Sequence, residues 1–196
     1  MNDQEKLALV KRLADDSAVL RKSVIDQVGE KLIALAGVVS GVIGSGGRVL
    51  IAANGVLAGV ASGLATELIV RTSSERNRQS LPAMALNADS SVVTAAANQY
   101  GYEHVFARQV DGLGRKGDIL IVMCLDGGCV NLIRAVKTAR ERGMISCALI
   151  GGSGGELARL ADRTIVVPHP SPQRIQEEHL FLVHTLVDLL ERDLFA

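Results

Sequence analysis

Two cysteines flank a short acidic, glycine-containing turn near the middle of the chain. Cys124 follows the apolar run 119–123, Asp126-Gly127-Gly128 forms the turn, and Cys129 precedes a stretch whose apolar residues recur at helical spacing. A strand that passes through a glycine turn into a helix presents free backbone N–H groups, which is how many α/β proteins hold an anion. The pattern therefore predicts a ligand site here, provided that the side chains of the loop still suit an anion.

The thiols themselves allow two interpretations. A nucleophilic cysteine needs a neighbouring base, and none is adjacent in the sequence, so small buried side chains are favoured. Cys124, Cys129 and Cys147 are an odd number without a CxxC motif, which argues against a disulfide framework or a zinc cluster. Because the N-terminus also lacks a signal-like pattern, we expect a cytoplasmic protein.

Composition narrows the function classes. The chain of 196 residues is 48% hydrophobic, enough for a sizeable core in one domain. Lys+Arg and Asp+Glu both number 21, so the charge gives no reason to expect direct binding of nucleic acid or of an anionic membrane. The run 32–44 is apolar but too short to span a bilayer, so no membrane partner is predicted. A balanced charge does not exclude binding to another protein.

From residue 49 onward, short apolar runs alternate with helical patterns. This alternation predicts an α/β fold, a three-layer α/β/α sandwich around a parallel, doubly wound sheet. Strands are predicted at 49–53, 81–86, 119–123, 146–150 and 164–167. Helices are predicted at 57–70, 90–98, 102–113, about 132–140, 156–160 and 174–194. Gly151–Gly155 is predicted to be a flexible connector.

Two further helices are expected before the first strand. They cover about 2–14 and 18–42, with Asp16 or Ser17 capping the second. Residues 1–45 would pack on the sheet or on another subunit, and residues 46–196 would form the α/β core of a single domain, 1–196.

The chain resembles the sugar isomerase (SIS) domain family, and within it the phosphoheptose isomerases and the related DnaA initiator-associating factor. The resemblance spans nearly everything after the first helix, and Arg-Ile-Gln-Glu-x-His after a proline-rich linker is its most specific motif. The segments that carry it are VLIAANG (49–55), ATEL (65–68), SLPAMALNAD (80–89), GRKGDILIVM (114–123) and RIQEEHLFLVH (174–184).

This resemblance implies an aldose–ketose isomerisation in a homotetramer with sugar-phosphate sites at subunit boundaries. The reaction moves a proton between adjacent carbons and needs a base and an acid. The family's catalytic positions fall on Glu67 and His184, and Gln176 stands where the family contacts metal or substrate. The implied substrate-binding residues of the two loops are Asn54, Gly55, Cys124, Asp126, Gly127, Gly128 and Cys129.

Both loops depart from the family pattern. The first loop, Gly-Asn-Gly-Gly-Ser in the family, is Ala-Asn-Gly-Val-Leu at 53–57. The phosphate loop, Ser-Thr-Ser-Gly-Asn-Ser in the family, is Cys-Leu-Asp-Gly-Gly-Cys at 124–129, so its hydroxyls are gone and a carboxylate is added. At about 4 Å and an effective dielectric near 20, one such charge pair costs roughly 4 kcal/mol. These departures predict a phosphate site that has degenerated.

The resemblance also implies zinc, but the family's metal-binding histidine on the helix after the first loop is Gly63 here. No metal ligand set is therefore predicted. Glu177, Glu178 and His179 are expected at the surface or in an interface. Arg71, Arg76 and Arg78 form a basic run that is expected to be a solvated helix end.

Three functions are consistent with these residues. The first is a catalytically impaired SIS protein that acts as a binding or regulatory oligomer, or as the partner of an active paralogue; its ligand would be a sugar phosphate or another carbohydrate derivative. The second is an active sedoheptulose 7-phosphate isomerase that uses Glu67 and His184. The third, from the resemblance alone, is a replication regulator that acts through a protein partner. The loop residues favour the first function, whereas Glu67, Gln176 and His184 favour the second.

Overall fold

The computed structural model describes residues 1–71 and 77–195, and in them it places an open parallel sheet with helices on both faces. The strands are β1 (Val49–Ala53), β2 (Ala83–Ala85), β3 (Ile119–Cys124), β4 (Ile145–Gly151) and β5 (Arg163–Val167), in the order β2-β1-β3-β4-β5. The helices are α1 (Asp3–Gly44), α2 (Val56–Ile69), α3 (Ser90–Tyr100), α4 (Val105–Leu113), α5 (Val130–Glu141), α6 (Leu157–Leu160) and α7 (Pro172–Phe195). The predicted doubly wound α/β fold is confirmed.

The strands form the middle layer of the molecule. Strand β3 is buried along its whole length, as expected for a central parallel strand covered on both faces. Its alternate residues Ile119, Ile121 and Met123 join the core formed with α1, α2 and α7. Leu120, Val122 and Cys124 join the opposite core, formed with α3, α4, α5 and α6.

The expectation of two N-terminal helices was wrong, because α1 is one continuous helix of 42 residues. It starts at a capping box, in which the Asn2 side chain accepts from the Glu5 N–H and Glu5 accepts from the Asn2 N–H. Asp16 and Ser17 lie on the helix without ending it. Neither proline nor glycine interrupts residues 3–28, so nothing forces a break where the caps were expected.

Helix α1 is long and apolar enough to cross a bilayer by length and composition alone, and 33% of its most apolar window is buried in the protein. Val24, Val28, Leu32, Leu35 and Val39 pack into the core against the sheet and α7. A core helix passes the same test, so this feature is weak evidence for a membrane.

Strand β2 is shorter than the predicted 81–86. It lies at the edge of the sheet and pairs only with β1, over Ala83–Ala85. Pro82 at its entry has no N–H to donate, although its carbonyl accepts from Val49 at 2.9 Å.

Candidate functional site

The two candidate loops meet at the carboxyl edge of the sheet, where the chain order reverses between β1 and β3. In open α/β sheets such a switch point is where ligands bind. Asn54 follows β1, and its side chain exchanges hydrogen bonds of 2.8 and 2.9 Å with Asn131 at the start of α5. Tyr102 also donates to Asn54 at 3.0 Å. Asn131 and Tyr102 were not singled out from the sequence, because an isolated Asn or Tyr carries no motif.

An open cleft lies beside this hydrogen-bonded group. It is lined by Asn54, Tyr102, Glu103, Cys129, Val130 and Asn131. The structure thus brings together Asn54 of the first loop and Cys129 of the second, two of the residues that the resemblance implies for substrate binding.

The Asp126 carboxylate occupies a backbone N–H of its own loop that a bound anion would otherwise use. Its Oδ1 accepts from the Gly128 backbone N–H at 2.9 Å and from the Cys124 thiol at 3.3 Å. The Gly128 N–H, followed by the Cys124 thiol, lowers the pKa of Asp126, so the carboxylate stays ionised. The Asp126 side chain is exposed, so solvent screens its charge.

The two thiols of the loop interact with each other. A hydrogen bond from Cys129 lowers the pKa of Cys124 to about 7, whereas that interaction and burial raise the pKa of Cys129. The third thiol, Cys147 on β4, is fully buried, and desolvation raises its pKa to about 12. Cys147 is therefore a packing residue, while Cys124 lies in a polar cluster with Asp126 and Cys129.

Gly151–Gly155 packs against the same turn. A Cβ at Gly127 would collide with the backbone of Gly154, and one at Gly155 would lie 2.6 Å from the carbonyl oxygen of Asp126. The Leu157 N–H donates to the Gly127 carbonyl at 3.1 Å. This glycine segment supports the turn of the candidate site by close backbone contact, and was expected only as a connector.

Glu67 and His184 form the second candidate group. Helices α2 and α7 pack side by side and bring Glu67 Oε1 to 3.0 Å from His184 Nε2. The Glu67 side chain is 18% exposed and the His184 side chain 49% exposed, so the pair is open on the imidazole side. A carboxylate beside an imidazole is a suitable pair of groups for moving a proton.

Gln176 lies at the other end of this helix pair. Its Nε2 donates to the Val56 carbonyl at 3.3 Å, next to Gly55 and the first loop. Glu67 is 11 positions beyond Val56 on α2, which corresponds to about 16 Å along the helix axis. Within one protomer the predicted site residues therefore form two separate groups, one at the loops and one at the Glu67–His184 pair.

Arg78 holds the end of α2 in place beneath this pair. Its guanidinium donates to the backbone carbonyls of Glu67 at 2.6 Å and Leu68 at 2.9 Å, and its Nε to Glu191 Oε1 at 2.8 Å. The Arg78 and Glu191 side chains are only 1% and 3% exposed. The expectation of a solvated basic run was thus wrong for Arg78, whereas Arg76 lies outside the described residues.

His179 and Glu178 are buried, contrary to the surface or interface position expected for them. Glu178 faces Arg21 of α1, with 3.1 Å between its Oε1 and Arg21 Nη2. Neither ring nitrogen of His179 forms a hydrogen bond within the part of the chain that the structure describes. Desolvation lowers the pKa of His179 to about 4, and a backbone contact with Ile150 only partly offsets this effect.

The zinc implied by the resemblance does not fit the residues at the helix pair. Gly63 supplies no ligand, and a Cβ there would meet no atom within 4 Å. Gln176 lies eight positions before His184 on α7, about 12 Å along the axis. Within this chain, Glu67 and His184 could therefore contact one zinc ion, whereas Gln176 lies too far along α7 to contact the same ion.

Fold and site together define a class of protein: an open α/β domain with a ligand cleft at its switch point and a carboxylate–imidazole pair between two helices of one layer. The family model described as SIS domain matches residues 13–151, and the chain belongs to this family. A phosphoheptose isomerase of Pelodictyon phaeoclathratiforme is 44% identical over 177 residues, which cover 90% of this chain and 84% of that protein.

Two solved structures show how far the similarity extends in three dimensions. A phosphoheptose isomerase from Neisseria gonorrhoeae has a TM-score of 0.88 and 34% identity over 97% of this chain and all of that one. One from Francisella tularensis has a TM-score of 0.90 and 31% identity over 98% of this chain and all of that one.

Proposed function

We propose that this chain is a carbohydrate-binding SIS protein with weakened sugar-phosphate recognition, and that it acts as an oligomer with impaired isomerase activity. The observation that carries the proposal is the hydrogen bond from the Gly128 N–H to Asp126 Oδ1 at 2.9 Å. This backbone donor lies at the N-terminus of α5, where a phosphate oxygen would be accepted. The Asp126 carboxylate occupies this Gly128 N–H and adds a negative charge that repels a phosphate.

Loss of side-chain donors supports the same proposal. Asp126, Cys124 and Leu125 stand where the resemblance places hydroxyl-bearing residues, and a thiol is a weak donor. Each lost hydrogen bond to a charged ligand costs about 1.5–3 kcal/mol. The Asn54 and Asn131 amides and the Tyr102 hydroxyl hydrogen-bond to one another at the cleft, and each amide NH₂ keeps a second hydrogen and the phenol oxygen an acceptor site for the neutral hydroxyls of a sugar.

A second candidate function, an active phosphosugar isomerase, is favoured by the 3.0 Å contact between Glu67 and His184. In this alternative, the Glu67 carboxylate takes the proton from one carbon of the open-chain sugar. His184 handles the proton at the adjacent oxygen. Since the pair lies about 16 Å from the first loop along α2, the loop that anchors this substrate would come from another protomer.

Calorimetric titration with sedoheptulose 7-phosphate, together with an isomerase assay, separates the two functions. We expect weak or no binding and little turnover from the folded oligomer. Micromolar binding with turnover that disappears in both Glu67→Gln and His184→Asn would establish the active isomerase instead. Binding of the unphosphorylated heptulose as tightly as the phosphate ester would support carbohydrate recognition without a phosphate anchor.

A further inference from the structure

Three of the four side chains that stand in place of the family's hydroxyls at the β3–α5 turn form a compact group of ligand atoms. The Sγ atoms of Cys124 and Cys129 and a carboxylate oxygen of Asp126 all lie within 4.8 Å of one another. Sequence spacing did not indicate this, because Cys-x-Asp-x-x-Cys is not a common metal motif and only the turn brings the two thiols together.

We propose that Cys124, Asp126 and Cys129 bind a thiophilic divalent cation of the Zn²⁺ type at the switch point, with one coordination position open to the cleft. On binding, each thiol releases its proton to solvent and the thiolate takes its place as a ligand. This site is separate from the Glu67–His184 pair and goes beyond the proposed function.

Distances within the cluster suit a small tetrahedral ion. Zn–S bonds of about 2.3 Å and Zn–O bonds of about 2.1 Å at tetrahedral angles place a sulfur and an oxygen ligand about 3.6 Å apart. Cys124 Sγ lies 3.3 Å from Asp126 Oδ1. Only small side-chain movements are therefore needed to surround an ion.

The backbone already fixes the three ligands. Cys124 ends the buried strand β3, Cys129 precedes the first turn of α5, and the Gly128 N–H orients Asp126. Asn54 lines the same cleft as Cys129, where its amide could serve as an outer contact of the kind that orients metal ligands.

Charge and ligand type select the ion. Two thiolates and a carboxylate around a divalent cation carry a net charge of about −1, which the N-terminus of α5 stabilises. Thiolates prefer zinc and similar soft or borderline ions, whereas magnesium and calcium require oxygen ligands. The open position would face the cleft lined by Asn54, Tyr102 and Asn131.

The test is a Co²⁺ titration of the full chain, kept reduced by a phosphine, followed by displacement with Zn²⁺. We expect one equivalent of Co²⁺ to produce thiolate-to-cobalt charge-transfer absorption, which Zn²⁺ then abolishes. Loss of an outer-shell partner alone often costs about 10–100-fold in metal affinity. Cys124→Ser and Cys129→Ser should therefore each weaken binding at least about 100-fold.

Cys147→Ala is the matched control, since it removes the remaining thiol and should leave the absorption and affinity unchanged. Asp126→Asn keeps both thiols and changes an exposed side chain, so this variant should fold even if the cysteine variants do not. It should still weaken Co²⁺ binding, because an amide is a poorer ligand than a carboxylate. Absence of a thiolate band at saturating Co²⁺ would overturn the proposal. So would a metal affinity that survives in Cys124→Ser and Cys129→Ser but disappears in His184→Asn.

Discussion

Asp126 alters the β3–α5 turn in two ways that can be separated experimentally. Its charge repels an anionic ligand, and its Oδ1 occupies the Gly128 N–H. Because the side chain is exposed, the repulsion falls between the limits of about 1 kcal/mol in water and about 4 kcal/mol near a protein surface at 4 Å. The occupied backbone donor is therefore at least as important as the charge.

Restoring hydroxyls to this turn should restore phosphate affinity. We expect the triple variant Cys124→Ser, Leu125→Thr and Asp126→Ser to bind sedoheptulose 7-phosphate at least about tenfold more tightly, since 1.4 kcal/mol corresponds to a factor of 10. Calorimetric titration measures the change. Asp126→Ser alone is the control that removes the charge and frees the Gly128 N–H without adding the other two hydroxyls.

An unchanged affinity in the triple variant would mean that the lost hydroxyls are not what weakens the phosphate site. That result would favour a site whose contacts to the anion come from another protomer. Carbohydrate binding would then have to be tested in the assembled oligomer.

Single residues of this site could be anticipated from the sequence to different degrees. Glu67 and His184 were located by resemblance, and their mutual contact follows from the packing of α2 on α7. The cluster of Cys124, Asp126 and Cys129 could not be deduced from spacing, because thiol proximity depends on how tightly the turn closes.

At the level of elements, α7 carries a buried histidine that should make the fold sensitive to acid. The folded-state pKa of His179 is lowered from 6.5 to about 4, so the unfolded chain binds more protons between these values. The stability is complete above the unfolded pKa and is lost as the pH falls toward the folded pKa. Between about pH 7 and about pH 5 the loss is about 2 kcal/mol.

Urea unfolding at the two pH values measures this loss. His179→Leu should reduce the pH dependence by about that amount and should not destabilise the protein at neutral pH, because a poorly hydrogen-bonded buried ring is replaced by an apolar side chain. His184→Leu is the control on the same helix, since the His184 side chain is half exposed. An equal pH dependence in wild type and His179→Leu would contradict the prediction.

The Arg78–Glu191 pair should be a major stabilising contact between the α2 end and α7. Both side chains are almost fully buried, and removal of one partner of such a pair typically costs about 3–5 kcal/mol. We expect Glu191→Gln to lower the free energy of unfolding by about 3 kcal/mol, since the amide oxygen can still accept one hydrogen bond.

Glu156→Gln provides a matched control for that substitution. Glu156 pairs with Lys137 at 3.4 Å, and both side chains are about half exposed, so its loss should cost less than about 1 kcal/mol. Chemical denaturation of the two variants compares them directly. Similar losses in both would show that the buried pair contributes no more than a surface pair.

The elements also show where pattern-based prediction fails. The central strands were predicted closely, because buried parallel strands form continuous apolar runs such as 119–123. Helix α1 was split in two, because Asp16 and Ser17 are good caps but also tolerable exposed helix residues. The burial of Arg78 and Glu178 was missed, since a charged residue reveals its partner only in three dimensions.

At the scale of the whole molecule, the proposed oligomer bears on how the two groups of site residues could act together. The loops at the switch point and the Glu67–His184 pair are separated by about 16 Å along α2. A sugar bound at the loops of one protomer could contact a Glu67–His184 pair only if that pair came from a neighbour. The predicted homo-oligomer would supply that neighbour.

The N-terminal part of α1 is the surface on which this oligomer prediction can be tested. Helix α1 is about 63 Å long, and its residues 3–19 are largely exposed. Leu7, Val10 and Leu13 are 55%, 61% and 45% exposed and share one face at helical spacing. Such a stripe on an otherwise charged helix segment is typical of a face that packs against another helix.

We expect Leu7→Glu combined with Val10→Glu to shift the protein from an oligomer to a smaller species in sedimentation velocity, because burial of two carboxylates in an apolar contact is unfavourable. Arg12→Glu is the control, since 100° per residue places Arg12 on the opposite face of α1. The dissociated variant should also lose carbohydrate binding if the site spans two protomers. A monomeric wild-type protein would contradict the prediction, whereas dissociation with unchanged binding would confine the site to one protomer.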